Sequence, residues 1–245
     1  MRNNQHQYQI LNKKCIVLAF TLLLMTLCSL GIAMYLRAKS GSNRYAFLGW
    51  DMFLAWVPLI ISTMIALIFR SKAVRPGWLS KTLIGVLGLI WLFFLPNAAY
   101  LFTEMLHAFR YFIAQPESPF WFDMDFWYSL TLTFGVAIVG LMLSICSIRQ
   151  IEHVLQLLVH RSVGWIIVGF ILLLSGLGVY IGRFNRWNSW DIVSRPGQIV
   201  IDLMHDLSSA SGLLVEFVTL MFVIQGFAYI IISLISSSIT REGKK

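Results

Sequence analysis

VGWIIVGFILLLSGLGVYIG, residues 163–182, runs for twenty positions without a charged side chain before Arg183 ends the stretch. That is the length a helix needs to cross the hydrocarbon layer of a bilayer. Working outward, five further runs read the same way: Cys15 to Leu36, Ala46 to Phe69, Trp78 to Leu95, Phe126 to Ile148 and Leu213 to Ile235. With Val163 to Phe184 they make six spans. Lys81 lies one turn inside the third run and can extend its ammonium to the interface. The whole chain agrees: 58% of its 245 residues are hydrophobic and 12% charged, about half the charge of an ordinary soluble domain. Composition excludes a disordered chain, a disulfide-stapled secreted module and a typical cytosolic enzyme.

The expected fold class is all-α, a polytopic membrane helix bundle of about six transmembrane helices plus two short interfacial amphipathic helices. Residues 1–14 form an amino-terminal segment, 15–236 a single transmembrane domain and 237–245 a basic tail. The first run is too long for a signal-peptide core, and the cleavage signal near Ala38 is poor, so it reads as an uncleaved span. Twelve of the nineteen Lys and Arg residues flank one side of this arrangement, which places both termini in the cytoplasm by the positive-inside rule. The net charge of +8 is thereby an orientation signal, and no nucleic-acid partner is expected. Cys15, Cys28 and Cys146 show no metal-ligand or disulfide spacing and read as small apolar side chains. Gly178 and Gly182 form a GxxxG suited to close helix packing within the chain, and Gln225 is expected to hydrogen-bond a neighbouring helix.

Two connections carry more than linker chemistry. After the third run, LFFLPNAAYLFTEMLHAFRYF is expected to end one helix at Pro96 and to start another capped by Asn97. Leu101, Met105, Ala108 and Phe112 would form the apolar side of that helix, and Thr103, Glu104, His107, Arg110 and Tyr111 the solvated one. A re-entrant segment is the alternative, if other spans cover its polar face. After the fifth run, GRFNRWNSWDIVSRPGQ leads into IVIDLMHDL. There Val200, Leu203, Met204 and Leu207 oppose Asp202, His205 and Asp206, as in a second interfacial helix. Six spans bring both connections to one predicted extracytoplasmic face, with nine of the eleven acidic residues. Glu152, His153 and His160 lie on the opposite side and read as a solvated surface.

The strings FLAWVP (Phe53 to Pro58), FLPNAAY (Phe94 to Tyr100), TEMLH (Thr103 to His107), WFD (Trp121 to Asp123) and GRFNRWNSWD (Gly182 to Asp191) together resemble the bacterial membrane proteins grouped as domain of unknown function 1361. The resemblance spans about Gly49 to Pro196, and RWNSWD is its most specific part. Members more often carry a PNAPY-like string where this chain has Ala99, aspartate at Glu104 and asparagine at Asp51. The resemblance implies a bacterial inner-membrane protein and supplies no reaction.

From the residues themselves, Glu104, His107 and Asp123 are the candidate acid–base group. Glu104 and His107 also stand at a spacing used by bundle metal ligands, so a divalent metal is a conceivable cofactor. Asp123, Asp191 or the Asp202, His205 and Asp206 face would then complete its ligands. No HExxH, CxxC or GxSxG string accompanies them. Asn97, Arg183, Arg186, Asn188 and Asp191 are the candidate substrate-binding residues, since arginine forks match phosphate or carboxylate. The partners implied are the lipid bilayer and a lipid or lipid-linked anionic ligand. An enzyme on a lipid-linked or envelope substrate and a non-catalytic assembly or lipid-binding module stand about level. A transporter ranks lower, because ionisable groups are few in the middle of the runs.

Overall fold

The computed structural model describes residues 2–70, 78–110, 119–187, 190–209 and 212–242, with the side chains of 2–16, 70, 79, 161, 192–193 and 237–242 outside the description. It is all-α among these residues. The elements are α1 (Arg2–Ser40), α2 (Leu48–Arg70), α3 (Trp78–Tyr100), α4 (His107–Arg110), α5 (Met124–Leu155), α6 (Arg161–Tyr180), α7 (Asp191–Ser194), α8 (Pro196–Ser208) and α9 (Leu213–Glu242). Among the described residues, six stretches are long and apolar enough to cross a membrane: Val17–Ser40, Leu48–Phe69, Ser80–Arg110, Met124–Leu155, Ser162–Asn185 and Leu213–Ser236. They coincide with the six runs read from the sequence, and the chain is a multi-pass membrane protein by the length and composition of its helices.

The chain divides into two compact units, Met1–Trp50 with Glu104–Val139 and Asp51–Thr103 with Gly140–Lys245. In the first, α1 packs on the opening half of α5. Gly135 leaves room for Ser29, whose hydroxyl would lie 3.5 Å from an added Cβ, and Tyr35 meets Tyr128 edge to face at 5.8 Å. In the second, α6 packs against α3 and α9. Ile61, Trp91, Leu95, Ile145, Ile148, Val168 and Leu172 form its core. Burial alone does not select partners where lipid tails are as apolar as leucine, so small residues and polar pairs do that work. Gly178 abuts Pro96, and Gly140 the backbone of Ala98. The Ser175 hydroxyl donates to Gln225 Oε1 at 2.8 Å, the interhelical bond expected of Gln225. The GxxxG is indeed spent within the chain.

Pro96 does not end its helix. α3 continues through it to Tyr100 and then tightens into a 3-10 segment, Leu101–Leu106. Asn97 lies inside α3 rather than at the start of a new helix, and its side-chain amide donates back to the Phe94 carbonyl at 3.0 Å. Proline is tolerated inside membrane helices because neighbouring groups and local 3-10 turns satisfy the backbone it disturbs.

Candidate functional site

The expected polar side of the 101–110 segment is not solvated as a whole: Leu101 and Ala108 are buried as an apolar side would be, and Arg110 is exposed, but two of its polar residues are buried with them. Thr103 and Glu104 are buried, at 6% and 1% exposure, whereas Leu106 and Phe109 are exposed. Those two turn inward, so their groups must be satisfied by protein. A 3-10 turn has three residues per turn and eclipses positions i and i+3. It therefore brings Glu104 Oε2 to 2.8 Å from His107 Nδ1. The His107 side chain keeps 14% of its surface and that of Glu104 2%. Nδ1 is sealed from solvent. Glu104 Oε2 is sealed likewise, and the two atoms approach each other without hydrogen-bond geometry.

Within the same unit, three features hold His107. Phe47 lies with its ring centroid 4.8 Å from the imidazole. The buried Tyr45 donates its hydroxyl to the His107 carbonyl at 3.4 Å. Tyr45 adopts a left-handed backbone, φ 60, a conformation costly for an aromatic residue and kept where surroundings over-determine it. Asp123 is not part of this group. It is exposed and accepts from the Asp125 backbone amide at 2.9 Å, which makes it the cap of α5. No hydrogen bond or ion pair joins Asp123 to Glu104 or His107 among the described residues. Asp125 pairs with Lys39.

In the second unit the chain leaves α6 through a wide π-turn, Ile181–Asn185, and Arg186 follows in the left-handed region at φ 58. The carboxylates of α8 organise this turn. Asp206 Oδ2 accepts from Asn185 at 2.9 Å and from the Tyr180 hydroxyl at 3.1 Å. Asp202 accepts from the Trp187 indole at 2.9 Å and from Gln198 at 3.0 Å. The bond from Asn185, reinforced by Tyr180 and His205, holds the Asp206 carboxyl below its usual 3.8 against the opposing effect of burial. Arg183 lies against Tyr100, its guanidinium 3.5 Å from the hydroxyl and 6.0 Å from the ring centroid. Asp191 opens the short α7. Asn188 lies outside the described residues.

A family model described as "Protein of unknown function (DUF1361)" matches residues 50–227. The chain belongs to this family. No curated protein and no solved structure matches it. All eight candidate residues fall inside the DUF1361 match, and the Tyr45–Phe47 turn that holds His107 precedes it.

Among the described residues, no group of three or more His, Cys, Asp or Glu side chains could hold a metal ion. Glu104 and His107 supply two donors, while Asp125, Asp202 and Asp206 are bonded elsewhere. Sequence reasoning missed Tyr45 and Phe47, whose only signal is an aromatic-rich short connection. It also misjudged Glu152. That residue is 5% exposed rather than solvated. It accepts from Gln156 at 2.8 Å and lies 4.0 Å from Arg149, which in turn bonds Ser233 of α9.

Proposed function

We propose that the protein is an enzyme of the bacterial cytoplasmic membrane, with both termini cytoplasmic, acting on a lipid-linked or envelope substrate through His107. The carrying observation is the buried Glu104–His107 pair at 2.8 Å. Nδ1 faces Glu104, so the other ring nitrogen is the one left to exchange a proton with a substrate. The carboxylate lies against the ring and orients it, a division of labour common to acid–base sites. Phe47 and Tyr45 restrict the ring's motion. On this reading His107 is the catalytic residue and Glu104 its positioning residue. Arg183, Arg186 and Asp191, with Asn97 and Asn188, remain candidates for an anionic ligand, to be tested separately.

A second reading, a non-catalytic lipid-binding or assembly module, draws support from α8. Its carboxylates serve the turn after α6, while Val200, Ile201, Met204 and Leu207 remain exposed.

The test compares the lipid-linked species in membranes of cells producing the wild type, Glu104→Gln or His107→Gln at matched abundance. A species altered by the wild type and not by either variant supports the enzyme. Identical profiles in all three overturn it in favour of the module. Equal loss of abundance in both variants reduces the pair to a structural role.

A further inference from the structure

Arg186 is held in a costly conformation by its neighbours. Asn185 is tied to Asp206 and Trp187 to Asp202, so both flanks of Arg186 are fastened to α8 while its own side chain is exposed. The left-handed region is unfavourable for a residue with a Cβ and is kept where the surroundings hold it. That backbone caps the π-turn, with the Arg186 amide donating to the Ile181 carbonyl, and it leaves the guanidinium outside: no ion pair is formed by Arg186 or by Arg195, which precedes α8, among the described residues.

The helix these arginines flank exposes more apolar surface than a protein face in water. Ile199 is buried, Asp202 and Asp206 turn toward three uncharged donors, from Tyr180, Asn185 and Trp187, and Gln198 of the same helix also bonds Asp202. Val200, Ile201, Met204 and Leu207 are 54–66% exposed. α8 follows one membrane-length helix and, through a tight turn at Gly212 with φ 62, leads into another. Its place is therefore at the ends of two spans, where acyl chains meet headgroups. A helix with its apolar side outward and cations at its margin matches that boundary.

We propose that α8 and Arg186 form a phospholipid-binding surface. The apolar side of α8 enters the upper acyl region, and Arg186, with Arg195, engages the headgroup phosphate. The bonds to Asp202 and Asp206 keep those carboxylates turned from the phosphate and set the left-handed turn that presents Arg186. The reading is independent of the Glu104–His107 chemistry.

The experiment follows hydrogen exchange of residues 196–208 in the full chain in dodecyl maltoside micelles, titrated with diheptanoyl phosphatidylcholine. Phospholipid slows exchange in α8, and Arg186→Gln with Arg195→Gln raises the midpoint roughly tenfold, the loss of charge-assisted bonds to phosphate. An unchanged midpoint in the double variant overturns the proposal. So does equal protection by inorganic phosphate alone, which would mean a free-anion site, or by dioctanoylglycerol, which lacks the phosphate. Should the double variant also lose protection in α9, the wild type is titrated at low and high salt. A midpoint that rises with salt supports the phosphate contact, and a salt-independent one overturns it.

Discussion

A Cβ added to Gly178 of α6 would overlap the ring of Pro96 in α3. Two helices thus meet where one has no side chain and the other has its stiffest. The proline that local rules assign to a helix end lies inside one, at a place where the partner offers a flat surface.

Gly178→Ala should destabilise the protein by about 1–3 kcal/mol, the usual cost of overpacking, because the pyrrolidine ring cannot swing aside. The unfolding midpoint in detergent measures it. Gly85→Ala, where nothing lies within 4 Å of the added carbon, should not lower the midpoint, since alanine is the better helix former.

Much of the architecture is legible from residues alone. Six long apolar runs, with charges only near their ends, give six spans, because the bilayer sets one length for all of them. The 101–110 segment is not legible in that way. Periodicity shows that Glu104 and His107 share a side, but a buried polar side and a solvated one have the same spacing. Pro96 misleads for a similar reason: Gly178, its packing partner, is distant in sequence. Glu152 is misjudged because Tyr229, which hydrogen-bonds it, and Ser233, which bonds its neighbour Arg149, both come from α9, and the pairing of α5 with α9 has no local signal.

Tyr45→Phe removes the hydroxyl bond to the His107 carbonyl and should cost about 0.5–1.5 kcal/mol. Any activity that depends on His107 should fall further than stability does, since the bond positions the backbone that carries the imidazole. Comparing turnover with the unfolding midpoint separates the two effects.

Asp206 predicts an acid limb. Its carboxyl titrates below 3.8 in the folded protein, so its contribution is complete above that value and is lost as pH falls through the lower folded value. Hydrogen exchange in α8 should be flat from neutral pH down to about 5 once intrinsic rates are divided out, and should rise only in stronger acid. Asp206→Asn should remove that rise. A rise already complete at pH 5 would contradict the assignment.

Trp187→Phe keeps an aromatic side chain and deletes the indole donor to Asp202 together with the pyrrole half of the ring. Loss of a hydrogen bond to a charged acceptor costs about 1.5–3 kcal/mol. It should appear as faster exchange in residues 196–208, with α9 unchanged.

Ser175→Ala and Gln225→Leu, singly and together, form a double-mutant cycle across α6 and α9. Coupling of about 0.6 kcal/mol is expected for a hydrogen bond between membrane helices. A value indistinguishable from zero would show that apolar packing alone joins the two.

The 3-10 turn before His107 has a bearing on how the gene can vary. With three residues to the turn, one codon gained or lost between Glu104 and His107 rotates the imidazole about a third of a circle away from the carboxylate. Substitutions at Met105 and Leu106 can be accommodated one at a time, but their number cannot change. The spacing works as a ruler, and the family should drift in letters there without drifting in length.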